Sequence, residues 1–465
     1  MRPEAIERKD IEIIEAPGQL PTFWNHRAVF VANLLGLFFG NEEETRRLAE
    51  EVGEVDSYGG RLIPIVDLLF GGAGSNLLVL EREPDPALCR YFEETAGLSL
   101  PERVILPHRD YLGIGQHLAA GRRIEHDVVD RLSSHPAEWM DGYVTDDILA
   151  GLAEQIGKQT ISSAAGSRMG NNKRELHRHL EANGFPVVMT ELAESTAELE
   201  PCLARLAAAG FSSGVVKSAI GASGIGLIKV EDLSARRSVV ESIPDSFFFE
   251  GPCLVQAWLK PGEQGVLEIR SPSAQLFLDS SSVAIYDLTE QILSQASVHE
   301  GNESPPPYLM GRPELRREML RQAGEAGRWL HRQGYRGTGS VDFLVVDYDD
   351  GRTEVFVCEI NARVTGATYP SILARHFLPE GAWLLRNLRF EKPLSGEELL
   401  GLLKRSGDLF VPGQSEVGVL PVNFNFGRDG LVHKGQFLCL AHSTAGNHVL
   451  LQLAELDLPC VPDRD

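Results

Sequence analysis

Gly339-Ser340-Val341-Asp342-Phe343-Leu344-Val345-Val346, then Asp347 to Arg352, then Glu354-Val355-Phe356-Val357-Cys358-Glu359-Ile360-Asn361-Ala362-Arg363, reads as two strands joined by a tight turn. Two runs rich in β-branched and aromatic residues flank Asp350-Gly351, a dipeptide favoured in two-residue hairpin turns. A turn centred there sets Asp342 directly opposite Glu359. Side chains alternate along a strand, so Asn361 and Arg363 share the face of Glu359. Two carboxylates and an amide inside apolar strands are costly to bury unless a cation compensates. Oxygen-only ligands favour magnesium over zinc, and magnesium takes few protein ligands plus phosphate oxygens. Asp342, Glu359 and Asn361 are therefore the expected metal ligands, the structural alternative being a plain Glu359–Arg363 pair. Arg363, next to them, is a candidate for neutralising a reacting oxyanion.

Upstream, Val215-Val216-Lys217 reads as a strand, Ser218 to Gly226 as a small-residue loop, and Leu227-Ile228-Lys229-Val230 as the returning strand. In a Walker A loop the lysine follows the glycines and opens a helix, so this is a different device. A hairpin whose backbone N–H groups can close over phosphates, with Lys217 at its root, suits a triphosphate. Leu254-Val255-Gln256-Ala257-Trp258-Leu259 is a short apolar strand whose edge can face an adenine, with Gln256 on the purine edge. Glu263, beyond Lys260-Pro261-Gly262, is within reach of ribose hydroxyls. Lys173 to Asn183 reads as a helix ended by Gly184 and Pro186, and Ser162 to Asn172 as a linker. His177 and His179 lie two apart on that helix, on different faces, which assigns them surface roles.

At 465 residues the chain suits two to four packed domains. The net charge of -22 argues against nucleic acid or anionic lipid as a partner. No run is apolar and long enough for a bilayer and no signal pattern opens the chain, so a cytoplasmic protein is expected. Six scattered cysteines with no CxxC pair read as reduced and packed. Residues 25–155 alternate strand and helix patterns as an α/β unit does. The cluster Gly71-Gly72-Ala73-Gly74 precedes a candidate strand instead of following one, and reads as a turn.

In this order, the segments from Lys173 to Pro370 resemble the ATP-grasp superfamily. The resemblance implies an α/β (α+β) ATP-grasp fold: a Rossmann-like pre-ATP-grasp domain over 1–155, the core over 156–395 with a lid at about 185–260, and a small C-terminal αβ domain over 396–465. It implies ATP and magnesium, with manganese as a substitute. Lys173 and Lys217 are similar to the two nucleotide lysines, Ser223, Gly224 and Ile225 fall in the phosphate-closing loop, and Gln256, Ala257 and Leu259 in the adenine strand. Glu263 is similar to the ribose acid, and Asp342, Glu359 and Asn361 to the metal ligands. Asp287-Leu288-Thr289-Glu290-Gln291, Gly301-Asn302 and the run Glu359 to Gly366 look most like pheganomycin-type peptide ligases, which implies Gln291 and Arg363 as catalytic residues.

Ligases of the D-alanine–D-alanine kind carry an arginine where this chain has Ser340; Arg363 resembles the arginine of the carboxylase-like branch. The expectation is a carboxylate-amine ligase acting on amino acids or peptides through an acyl phosphate, with a homodimer allowed. The alternatives are a carboxylase or carboxylate-thiol ligase on the same scaffold, for which no biotin-bearing or coenzyme A-binding segment is evident, or a non-catalytic nucleotide-binding regulator.

Overall fold

The structure, a computed structural model, describes residues 11–52, 58–222, 224–293 and 299–461. Strand β1 (Glu12–Glu15) runs parallel to a strand of the largest sheet. The chain then builds a five-stranded parallel sheet from β2 (Ala28–Val31), β3 (Leu77–Leu80), β4 (Glu102–Ile105), β5 (Trp139–Gly142) and β6 (Gln159–Thr160), in the order β4-β3-β2-β5-β6. Strands β2 and β3 are apolar and buried at every position, as parallel strands covered on both faces must be. The Gly71–Gly74 segment makes a turn, with Ser75 N–H donating to Gly72 O at 2.9 Å.

A four-stranded sheet follows, from β7 (Thr190–Ala193), β8 (Gly214–Ala222), β9 (Ile225–Val230) and β10 (Cys253–Ala257), in the order β7-β10-β8-β9. The expected loop from Ser218 to Gly226 is mostly strand. Ile220, Ala222 and Ile225 are buried in the same apolar cluster as Leu34, Leu35 and Phe38 of the N-terminal unit, which extends the pairing almost to the tip. Ser223 lies outside the described residues. The sheet is tied to the N-terminal unit by Asn41 Nδ2 to Ser246 O (3.1 Å), Ser246 Oγ to Glu44 Oε1 (3.0 Å) and Arg168 Nη2 to both Phe39 O (2.9 Å) and Glu250 Oε1 (2.8 Å).

The remaining strands are β11 (Val266–Arg270), β12 (Pro272–Leu278), β13 (Ser282–Leu293), β14 (His299–Ser304), β15 (Gly337–Tyr348), β16 (Thr353–Asn361), β17 (Ala382–Leu394), β18 (Gly418–Phe426) and β19 (Val432–Ala441). They form one ten-stranded sheet with β1, ordered β11-β15-β12-β13-β14-β17-β19-β18, with β16 on β15. The C-terminal segment thus continues the central sheet through β17 instead of standing apart, because Leu384, Leu385, Leu438 and Leu440 share one buried core with Leu420 and Val422.

The linker expected over 162–172 contains a helix, Ala164–Gly170, whose N-cap Ser163 accepts from Gly166 N–H. Its small residues allow close packing and do not signal flexibility. A Cβ on Gly170 would sit 2.4 Å from Leu330 Cδ1 and 2.6 Å from the Ala362 Cβ.

The centre of the large sheet is fastened by one ion pair. Asp287 on β13 receives Arg375 Nη2 at 2.8 Å, Ser304 Oγ at 2.7 Å and Trp383 Nε1 at 2.9 Å, linking β13, β14, β17 and the helix Thr368–Phe377. The Arg375 and Asp287 side chains are 3% and 1% exposed. Removing one partner of such a pair leaves a charge without compensation in the interior. Arg375→Met should lower stability by about 3–5 kcal/mol in a urea titration. Arg317→Met, which breaks the exposed pair with Glu314, should change it by less than about 0.5 kcal/mol. Matching midpoints for the two variants would remove the fastening role.

Candidate active site

Asp342 on β15 faces Glu359 on β16, as the turn-based reading expects, but by two offsets that cancel. The turn is one residue longer than expected: Tyr348 N–H donates to Arg352 O at 2.9 Å, and Gly351 takes φ +84° inside the loop. Near the turn Val345 therefore faces Val355 and Phe343 faces Val357, and the bulge at Cys358 restores Asp342 to Glu359 and Ser340 to Asn361.

The polar end of this pair is closely bonded. Asn361 Nδ2 donates to Asp342 Oδ2 at 2.9 Å and to Ser340 Oγ at 3.3 Å, and Ser340 Oγ donates to Asp342 Oδ1 at 3.2 Å. Lys173 Nζ lies 2.7 Å from Glu359 Oε2 and donates to Gly221 O of the hairpin at 3.3 Å. Lys173 opens the helix Lys173–Ala182, whose N-cap Asn172 accepts from the N–H groups of Arg174 and Glu175, so its charge adds to the positive helix end. Arg363 donates to Asn171 Oδ1, and Asn171 Nδ2 donates to Ala362 O at 3.2 Å. Asn171 is a positioning residue absent from the sequence reading, because 162–172 read as a linker.

Lys217 Nζ donates to Gln256 Oε1 at 2.8 Å, and Gln256 Nε2 donates to Thr190 Oγ1 at 2.9 Å. These residues close the polar end of a narrow cleft whose walls are Leu176, Leu180, Val187, Val188, Leu254 and Val357, with Lys173, His177 and Cys358 also lining it. The apolar walls with two lysines at one end match a heteroaromatic ring bearing phosphates in chemistry, while the open space between them, about 10 Å³, is that of a single water. His177 is thus a cleft residue, and its i, i+4 relation to Lys173 is the signal that could have found it. His179 stacks on Trp329, ring centres 5.6 Å apart, so neither histidine is a plain surface residue.

Other expected residues stand differently. Ala257 N–H donates to Met189 O at 2.9 Å and Trp258 N–H to Ser213 O at 3.1 Å, so those two donors are already engaged within the protein. Leu259 packs beside the core of the small sheet, and Glu263 accepts from Ser212 Oγ at 2.6 Å and 2.7 Å. Gly224 and Ile225 form the hairpin tip, where Gly224 takes φ +82°. Gln291 pairs across the sheet with Asn302, two strands from β15, outside the Asp342–Glu359–Arg363 group.

Burial, and then the Glu359 charge, push the Asp342 carboxyl up to about 7. Burial also pushes Glu359 up, but Lys173 and Arg363 outweigh it and hold that carboxyl at about 2. Burial lowers both Lys217 and Arg363. Among the described residues no group of three or more His, Cys, Asp and Glu gathers as a metal cluster. The candidate set is instead two carboxylates and an amide. Facing carboxylates, Asp342 pushed up by burial first and by Glu359 second, with Glu359 27% exposed, fit a hard divalent cation with oxygen ligands.

In metal-free protein the unfolded chain ionises Asp342 near pH 4, whereas the folded chain holds that proton to about pH 7. Between these values the folded state binds more protons, so this residue's contribution to stability falls as pH rises through the window. In chelator, the melting temperature of Asp342→Asn relative to the parent should climb between about pH 4 and pH 7. A constant difference over that range would refute the assigned shift.

Residues 170–367 match the family model described as an ATP-grasp domain. Over 199 residues the chain is 29% identical to the [butirosin acyl-carrier protein]–L-glutamate ligase of Niallia circulans, covering 43% of this chain and 44% of that protein. The chain thus matches less than half the length of that curated relative. Among solved structures, the biotin carboxylase domain of the Hydrogenobacter thermophilus 2-oxoglutarate carboxylase matches with a TM-score of 0.56 and 13% identity, covering 94% of this chain and 91% of that one. The N5-carboxyaminoimidazole ribonucleotide synthetase of Thermus thermophilus matches with a TM-score of 0.53 and 13% identity, over 94% and 100%. Among the described residues no helix is long and apolar enough to cross a membrane. The chain thus has an ATP-grasp fold with flanking α/β elements, and residues 170–367 are the segment similar to the ATP-grasp domain family.

Proposed function

We propose that the protein uses ATP to activate a carboxylate and joins it to an amine. The observation that carries this reading is the meeting of Lys173, Glu359, Asp342, Asn361 and Arg363 at the polar end of the apolar cleft. The cleft holds the adenine, with Lys217 and Lys173 on the phosphates and the Gly224 hairpin tip over them. Asp342, Glu359 and Asn361 hold magnesium, which supplies neutralisation of phosphate charge.

A substrate carboxylate oxygen attacks the γ-phosphorus, the bond to ADP breaks, and an acyl phosphate results. The amine then attacks the acyl carbon, the carbon–oxygen bond to phosphate breaks, and the ammonium of the product loses its proton to the departing phosphate or solvent. Arg363 bears on the oxyanion of that second step. Positioning and charge supply the acceleration.

A second reading, carboxylation with bicarbonate as the activated acid, draws support from likenesses to carboxylases and carboxyaminoimidazole synthetases that cover 94% of the chain. The solved structures favour this reading, and the L-glutamate ligase relative favours the first. A carboxylate labelled with heavy oxygen should deliver one label to phosphate, with an amide product and ADP. Incorporation of labelled bicarbonate into an acid-stable product, without any response to amino acids or peptides, would replace the first reading by the second.

The lysine roles have their own test. Lys173→Ala and Lys217→Ala should each weaken binding of a non-hydrolysable ATP analogue by calorimetry far more than Lys229→Ala. Arg363→Ala should leave that affinity nearly intact and lower turnover by roughly 10²–10³-fold. Unaltered affinity in both lysine variants would remove the nucleotide assignment.

A further inference from the structure

The hairpin that packs on the N-terminal unit has one free side. Strand β9 ends the order β7-β10-β8-β9, and among the described residues β8 is its only strand neighbour. The helix Glu42–Val52 packs against β9, and between them lies an open cavity of about 400 Å³. Residues 224–228 line it from the hairpin, Arg47, Glu50 and Glu51 line it from the helix, and Phe247 lines it from the segment after β9.

Consecutive residues of a strand point to opposite faces of its sheet, so a wall made of five in a row is the edge of the strand and not one of its faces. An edge strand presents unpaired backbone N–H and C=O groups, which pair with any extended chain laid alongside. The helix wall adds charge. Arg47 is paired with Glu43 and Glu50 with Arg46, whereas among the described residues Glu51 has no cation, and burial raises its carboxyl with no charge to offset it. Leu227, 39% exposed, supplies apolar surface on the strand side.

A free strand edge calls for an extended backbone, the unanswered Glu51 for a cationic side chain, and Leu227 for an apolar one. The cavity volume lies in the range of pockets for small ligands, about 300–1,000 Å³, which limits the occupant to a few residues; a folded partner would need an interface of about 1,200–2,000 Å². One end of the groove is the hairpin tip at Gly224. Three residues back along the hairpin, Gly221 O accepts from Lys173 at 3.3 Å, so that end adjoins the charged end of the nucleotide cleft.

We infer that the groove between β9 and the helix Glu42–Val52 binds a short extended peptide by strand addition, with a basic side chain against Glu51, and that this peptide is a substrate of the ligation. Its role as substrate rests on the ligase reading, but its binding does not.

Calorimetric titration of the whole protein with a tetrapeptide alternating valine and lysine reads the groove without turnover. The same peptide with glutamate for lysine, and the same peptide with alternate backbone nitrogens methylated, should each bind at least tenfold more weakly. Glu51→Gln should weaken the lysine peptide by roughly 3- to 10-fold and narrow its advantage over the glutamate peptide, while ATP-analogue affinity stays as in the parent. In ADP-release assays the same loss should appear in KM for the peptide more than in kcat. Absence of binding, equal binding of the methylated peptide, or equal binding of the lysine and glutamate peptides would overturn the groove. Binding as expected, with ADP release supported by free amino acids and not by the peptide, would overturn the substrate role and leave the ligase reading standing. Binding as expected, with no ADP release for any acid and amine, would reject the ligase reading and the substrate role with it.

Discussion

The cluster is organised around a like-charge constraint, two carboxylates set opposite each other in a buried strand pair. Asp342 and Glu359 cannot both ionise there without cations, and the protein supplies one from outside the sheet. Lys173 reaches Glu359 from the first turn of a separate helix and touches the hairpin through Gly221 O. One ammonium thus couples three elements distant in sequence. Arg363 supplies the second positive charge and is aimed by Asn171, which also holds Ala362 O. The close approach at Gly170 lets that helix sit under the end of β16.

The same constraint gives the small sheet its place. Lys173 and Lys217 are shared between the cleft and the hairpin, so charges brought into the cleft act on both sides of it. The hairpin is in turn packed on the N-terminal unit, with Ile220 and Ala222 in one apolar cluster with Phe38. Glu44 lies fully buried at this seam with Ser246 donating to one oxygen, and burial raises its carboxyl. The seam combines apolar contact with a few hydrogen bonds.

Much of the central device could be read before any coordinates. The alternation in 339–346 and 354–363 identified the two strands, and the Asp350-Gly351 signal located their turn. The pairing of Asp342 with Glu359 came out because a longer turn and the bulge at Cys358 offset each other, neither of which has an unambiguous local signature. Ser162 to Asn172 misled because small residues signal loops and close packing alike, and only the presence of Leu330 and Ala362 on top of Gly170 separates the two. The hairpin loop misled for a similar reason: its strand pairing is extended by a partner surface far away in sequence. The place of His177 in the cleft shows in its spacing from Lys173, one helical turn before it, and not in its spacing from His179.

The strand and helix patterns, the face on which Asp342, Glu359 and Asn361 lie, and the oxygen character of that set all follow from periodicity and side-chain chemistry. Tertiary structure alone decided which cation answers Glu359, that the C-terminal strands continue the central sheet, and that the edge of β9 lies beside the helix Glu42–Val52. Local propensities extend over a few residues, whereas these juxtapositions depend on how distant elements bury their apolar faces against one another. No stretch of the chain carries that information singly.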